Sequence, residues 1–214
     1  ILVEGYMDVV SLTQFGVRGV CATLGTALTN EQARLLKRYA PQVYLGYDGD
    51  SAGQHAILRG LEILEQEDVP ARVLDFPDGL DPDEFIRRDG AEGFRKLPAL
   101  SPAVYRLRRL KEQFDLSTQD GRLAYARSAS DIAAAVDPLE REVLLGQLVL
   151  ETGFPKESLL EQMDLNSGLR MQKKGDGSPA VMKPKRQSDV ASSEDLKAQE
   201  LLLTLFASGQ IQKD

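Results

Sequence analysis

The chain of 214 residues has one cysteine, one histidine, no tryptophan and an aromatic share of only 6%. Lone Cys21 excludes an internal disulfide and a cysteine-based zinc site. It lies in an apolar stretch and reads as a small buried hydrophobe. No apolar run is long enough to span a bilayer and no leader peptide opens the sequence, so a cytoplasmic location with no membrane partner is expected. Positive charge is also scarce: 26 Lys and Arg face 33 Asp and Glu, for a net charge of −7. A surface devoted to gripping phosphates needs a basic face, which this balance disfavours. The deficit is concentrated early, with sixteen acidic against ten basic side chains in residues 1–100, whereas residues 166–195 carry six basic and four acidic ones.

What is present in the first hundred residues is an alternation of two periods. Short apolar runs at Ile1–Val3, Val17–Ala22, Val43–Tyr47 and Val69–Phe76 read as strands, and residues 6–15, 30–39 and 51–66 between them read as helices. Strand–helix alternation with short links predicts an α/β fold: a parallel sheet of about four strands with helices on both faces and right-handed crossovers. Local punctuation agrees. Thr29-Asn30-Glu31-Gln32 fits a capping box, Asp50 or Ser51 can cap the next helix, and Asp81-Pro82-Asp83-Glu84 is a further helix start.

From Ser101 the strand signals stop, and three segments with apolar residues three and four apart predict helices, followed by a shorter one at "PKESLLEQM". The expected organisation is an α/β domain over 1–97, an all-α helical bundle over 98–165, a Gly-, Ser-, Pro- and Lys-rich linker over 166–195, and one amphipathic helix of a further, truncated domain over 196–214.

The third strand ends abruptly in Asp48-Gly49-Asp50. Glu4 and Asp8 follow the first strand, and Asp78, Asp81, Asp83 and Glu84 follow the fourth. In an open parallel sheet the carboxyl ends of the strands share one edge, so the fold gathers these acids. Massed carboxylates repel one another and raise each other's pKa, a penalty that a divalent cation removes. Oxygen donors without histidine or cysteine suit Mg²⁺ or Mn²⁺.

In this order and spacing, "VEGYMDV", "TLGTALT", "YDGDSAG" and "PDGLDPDE" resemble the TOPRIM domain shared by primases, topoisomerases and some nucleases. Their wording is similar to the bacterial replicative primases of the DnaG family. The resemblance is close over residues 1–97 and extends through the helical part to about 165. It implies a DNA-templated RNA polymerase that lays RNA primers on single-stranded DNA from ribonucleoside triphosphates at the bacterial replication fork. It implies that Glu4, Asp48 and Asp50 are catalytic and that Asp8, Asp81 and Asp83 join them around the metal. The replicative helicase would be a partner, reached through the segment at 196–214. Zinc would belong only to an N-terminal region of the family that this sequence does not contain. On that reading the chain is a fragment, expected to bind metal weakly and to make little primer alone.

Blander readings compete at each position. Asp48-Gly49-Asp50 can be a turn plus a cap, Asp81 and Asp83 can be capping and first-turn acids, and Asp8 can be a solvated first-turn acid. Asp78 and Glu84 read as structural. Gly25 and Thr26 form either a tight turn or a loop whose N–H groups meet nucleotide phosphates. His55 reads as solvent-facing, and the basic run Arg106, Arg108, Arg109 and Lys111 as a solvated helix face or a nucleic-acid contact. Two other functions stay open: another TOPRIM enzyme, which as a topoisomerase would need a nucleophilic tyrosine that neither Tyr105 nor Tyr125 resembles, and a non-catalytic scaffold docking a helicase or recombination partner.

Overall fold

The computed structural model of the protein describes residues 1–175. Within them the chain divides at Pro102 and Ala103 into two compact units. Residues 176–195 of the linker expected over 166–195, and the amphipathic helix expected at 196–214, lie outside the described residues.

The first unit runs β1 (Leu2–Val3), α1 (Tyr6–Gln14), β2 (Cys21–Ala22), α2 (Asn30–Tyr39), β3 (Val43–Leu45), α3 (Ser51–Gln66), β4 (Ala71–Leu74), α4 (Pro82–Arg95) and β5 (Ala99–Leu100). The sheet order is β2-β1-β3-β4-β5. The first four strands are mutually parallel, with Leu2 opposite Cys21 and Leu45, and Val43 opposite Ala71. β5 is a fifth strand beyond the four expected, and it runs antiparallel to β4. Two residues give no readable period, so the pattern in the sequence could not announce it. β2 is shorter than the run Val17–Ala22 because Gly19, at φ +69°, turns the chain just before it.

Helices cover both faces. On one, α1 packs on α4, and Val9 and Leu12 meet Val3, Leu74, Phe85 and Ile86 in one buried cluster. Phe76, Phe85 and Phe94 meet edge-on or tilted, with 5.5–6.4 Å between ring centres, in this cluster. On the other, α2 packs on α3, and Gly60 of α3 lets the helix lie directly on Leu45. The predicted caps form as expected: Thr29 and Gln32 make a reciprocal box, Asp50 accepts the Gly53 N–H, and Asp81 and Glu84 cap α4.

The second unit holds α5 (Pro102–Lys111), α6 (Gln119–Ala134), α7 (Pro138–Thr152) and α8 (Lys156–Gly175). Asp137 caps α7 and Gly153, at φ +76°, ends it. The small residues Ala126, Ala129 and Ala133 of α6 admit Leu144, Leu145 and Leu148 of α7 and Leu159 and Met163 of α8 into one core. α8 continues to Gly175, ten residues into the stretch read as linker.

Candidate metal centre on the carboxyl edge of the sheet

Parallel pairing places the exits of β1, β2, β3 and β4 on one edge, and the backbone ties these exits together. Gly46 N–H donates to Leu2 O at 2.9 Å, and the N–H groups of Thr23 and Leu24 donate to Val3 O and Glu4 O at 3.1 and 3.0 Å. Leu24 and Gly25 both adopt positive φ, 57° and 74°, and turn the chain away immediately after Glu4 is engaged. The loops after β3 and β4 touch: a Cβ on Gly49 would lie 2.7 Å from Gly79 Cα. A Cβ on Gly53 would lie 2.3 Å from the Asp48 carbonyl oxygen and 2.9 Å from Glu4 Oε1. Only glycine fits there, and Glu4 thereby sits against the first turn of α3 beside the Asp48-Gly49-Asp50 loop.

The carboxylates differ in what they bond. Glu4 accepts the Asp48 N–H, yet its Oε1 is buried and has no hydrogen-bond partner among the described residues. Asp8 is buried and accepts N–H groups from Gly5, at 3.0 Å, and from Asp83; it is not a solvated first-turn acid. Asp50 Oδ1 accepts the Gly53 N–H at 2.7 Å and Asp81 Oδ1 the Glu84 N–H at 2.6 Å. Asp83 Oδ1 accepts from Ser11 Oγ and from Arg87 Nε, the latter at 2.7 Å, while Arg87 Nη2 reaches Ser11 Oγ at 3.2 Å. This Ser11–Asp83–Arg87 lock clamps α4 to α1.

Burial and mutual repulsion govern the charges. Desolvation, then the neighbouring Glu4, Asp8, Asp81 and Asp50, push the Asp48 carboxyl up to about 6. Burial also raises Glu4, with Asp50 and Asp8 adding to it, and raises Asp8, with Asp81 and Asp83 adding. Asp83 moves the other way, held down by the Ser11 and Arg87 hydrogen bonds. Tyr47, buried behind the edge with its hydroxyl bonded to Thr23, is pushed up by desolvation and then by Glu4.

Glu4, Asp8, Asp48, Asp50 and Asp81 thus stand in one another's field, while Asp83 Oδ1 is already bonded to Ser11 and Arg87. As the side chains stand, no group of three His, Cys, Asp or Glu among the described residues is gathered tightly enough to hold an ion. The donor set nonetheless fits a hard divalent cation: these side chains offer only oxygen, and Glu4 Oε1 is a buried acceptor to which no group among the described residues donates. Gly25 and Thr26 are exposed on the same edge, with Thr26 Oγ1 donating to Thr23 O at 2.8 Å. His55 is exposed and bonds Ser51 O. Sequence reasoning did not single out Gly53, Gly79 or the Ser11–Arg87 pair. The two glycines lie inside the quoted motifs, and their signal was available; a serine 72 residues from its aspartate leaves none.

In the helical unit, Tyr105 and Tyr125 are buried, which removes both as exposed nucleophiles. The basic run is largely engaged: Arg109 pairs with Glu112 at 2.6 Å and lies over the Tyr105 ring, and Lys111 pairs with Glu151 at 2.9 Å. Among the described residues no helix is long and apolar enough to cross a membrane.

A parallel-dominated sheet with acids at its carboxyl edge defines a TOPRIM-type protein, and a family model described as Toprim-like matches residues 1–86. A second, described as the DnaB-helicase binding domain of primase, matches residues 104–157, within the helical unit rather than in the segment at 196–214. The DNA primase of Clostridium acetobutylicum is 38% identical over 96% of this chain and 35% of its own length. A DNA primase domain from Pseudomonas aeruginosa superposes with a TM-score of 0.55 at 32% identity, covering 77% of this chain and 54% of that one. The DnaG primase catalytic domain bound to single-stranded DNA gives 0.55 at 33% identity, covering 74% and 52%. Those shares exceed the first unit, so the likeness runs into the helical one. The chain belongs to the bacterial DNA primases of the DnaG type. It spans about a quarter to a third of the length of the curated relatives it matches.

Proposed function

We propose that this chain forms the metal-binding part of a primase's polymerase centre, in which RNA primers are made on single-stranded DNA from ribonucleoside triphosphates. The observation that carries the proposal is the buried Oε1 of Glu4, without a hydrogen-bond partner among the described residues, beside an Asp48 whose charged neighbours are carboxylates. Glu4, Asp48 and Asp50 are the residues assigned to hold Mg²⁺ or Mn²⁺, with Asp8 and Asp81 shaping the field around them and Asp83 joining on release from Ser11. A divalent cation there supplies charge neutralisation for a triphosphate and a lower pKa for an attacking 3′-hydroxyl. The protein's part is to orient its oxygens: the Gly53 contact fixes Glu4, and the Gly5 and Asp83 N–H groups fix Asp8. The turn at Gly25 and Thr26 presents backbone N–H groups to the phosphates of nucleotide or primer.

The single-stranded DNA in the related DnaG structure supports a template on this unit. The match over 104–157 supports contact between the helical unit and the replicative helicase. Both support a reading in which the work is done at the replication fork in the cytoplasm. Titration of Mn²⁺ into the chain, followed by electron paramagnetic resonance, tests the metal assignment. Binding that Glu4→Gln and Asp48→Asn each weaken at least tenfold is expected; equal binding by the variants overturns it.

A further inference from the structure

α7 carries apolar residues on two opposite faces. Leu144, Leu145 and Leu148 are buried in the core shared with α6 and α8. On the reverse side, Leu139, Val143 and Leu150 are 81%, 69% and 87% exposed. Steps of four, three and four residues along Leu139, Val143, Gly146 and Leu150 put all four positions in one stripe about 16 Å long. A Cβ on Gly146 would meet nothing within 4 Å, so the stripe has an open notch there. A single exposed leucine is ordinary, whereas an aligned apolar row marks a surface that another element covers. The row is also symmetric. Leu139 and Leu150 lie equally far from the point between Leu144 and Leu145, and so do Val143 and Gly146. Laid antiparallel on a copy of itself, the stripe sets each Val143 into the other's Gly146 notch and each Leu139 against the other's Leu150. That reciprocity, i on j and j on i, is what a two-fold interface requires. The margins permit it. Glu142 on one side is paired with Lys156 of its own chain, so no uncompensated carboxylate meets its copy there. On the other side the same rotation brings Gln147 alongside Glu140 of the second copy. The Gln147 amide carries two N–H groups, and Glu151 takes one of them.

We propose that Leu139, Val143, Gly146 and Leu150 form the seam of an antiparallel two-fold pairing between two copies of this chain. The occupant follows from the stripe's own pattern: a ridge and a notch so placed that each copy supplies what the other lacks. Three turns of helix bury less than the roughly 800 Å² per partner of a typical stable interface. The pairing is therefore weak, reversible and concentration-dependent. It uses no residue of the metal edge.

Sedimentation velocity of the whole chain over a concentration series tests the pairing, and cross-linking tests its register. Val143→Glu puts a charge into the notch. Gly146→Gln fills the notch while favouring the helix, and so separates loss of pairing from loss of fold. Reversible dimerisation of the parent is expected, weakened at least tenfold by each variant, with Gly146→Gln melting no lower than the parent. For the register, Leu139→Cys and Leu150→Cys are made singly in a Cys21→Ser background and treated with a short bis-maleimide. Antiparallel register puts unlike positions face to face and like positions about 16 Å apart. A mixture of the two variants should therefore give cross-linked dimers, and either variant alone should not. A parent that stays monomeric up to about 1 mM, or dimerisation undiminished in both Val143→Glu and Gly146→Gln, overturns the seam. Cross-linking of each cysteine variant with itself as readily as with the other overturns the antiparallel register. A monomeric parent whose introduced cysteines react only after residues 176–214 are removed overturns the second copy in favour of the chain's own C-terminal segment.

Discussion

Asp48 and Glu151 are two half-buried acids in different units of one chain, and their surroundings are opposite. Glu151 accepts the Tyr125 hydroxyl at 2.7 Å, Lys111 Nζ at 2.9 Å and Gln147 Nε2 at 3.2 Å. Burial opposes its ionisation, yet these partners outweigh it and hold the carboxyl below its ordinary value. Asp48 has burial too, but its neighbours are Glu4, Asp8, Asp81 and Asp50, and it is driven up to about 6. A buried carboxylate given its donors is part of the scaffold. A carboxylate whose charged neighbours are other carboxylates is held in place by the rest of the fold and is available to something that is not protein.

The comparison breaks most visibly in activity. In a complete primase carrying this sequence, Asp48→Asn or Glu4→Gln should lower primer synthesis by at least about 100-fold, as large as the loss of a strong metal-positioning interaction. The same Asp48→Asn substitution should leave the apo fold as stable or slightly more so at pH 7, by no more than about 1 kcal/mol because solvent screens the group. Glu151→Ala should do the reverse. It strands the Tyr125 hydroxyl, Lys111 and Gln147 and should destabilise the helical unit by about 1–3 kcal/mol, read by urea titration, without touching metal affinity. Equal stability losses at both positions would erase the distinction drawn between them.

The pH dependence sharpens it further. Asp48 is raised in the fold, so between about pH 4 and 6 the native state binds more protons than the unfolded one, and this contribution to stability falls as pH rises through that window. Glu151 is lowered, so its contribution is present above its unfolded pKa near 4.5 and is lost as pH falls below it. Thermal midpoints of Asp48→Asn should therefore gain on the parent as pH climbs from 4 to 7. Those of Glu151→Ala should draw level with the parent as pH drops towards 3. Saturating Mn²⁺ should cancel the first trend and leave the second.

Much of this was readable from the chain itself, for physical reasons that differ by element. α2 and α3 were legible to the residue because Thr29, Gln32 and Asp50 satisfy specific N–H groups at fixed offsets. The gathering of Glu4, Asp8, Asp48 and Asp81 followed from topology alone, since parallel strands send their carboxyl ends to one edge. β5 was not legible, because two residues pairing with Val73 and Leu74 depend on a partner some 26 residues away. Nor was the reverse face of α7: periodicity shows which residues are apolar, but not which of two apolar faces the rest of the unit covers.

The smallest effect tests the one acid whose environment crosses the comparison. Asp83 was expected among the metal-edge acids, yet like Glu151 it is supplied with donors, Ser11 and Arg87, and lies low. Ser11 is itself buried, so Ser11→Ala removes a donor without exposing a charge and should reduce stability by only about 0.5–1.5 kcal/mol. If Asp83 serves the metal by letting go of Ser11, that substitution removes a competitor, and Mn²⁺ affinity should hold or rise about twofold while Asp83→Asn lowers it. If Asp83 belongs wholly to the scaffold, the two variants should shift the melting temperature alike and leave Mn²⁺ affinity where it was. The lock between α1 and α4 would then be the first unit's counterpart of the Glu151 network, and the acidic edge would end at Asp81.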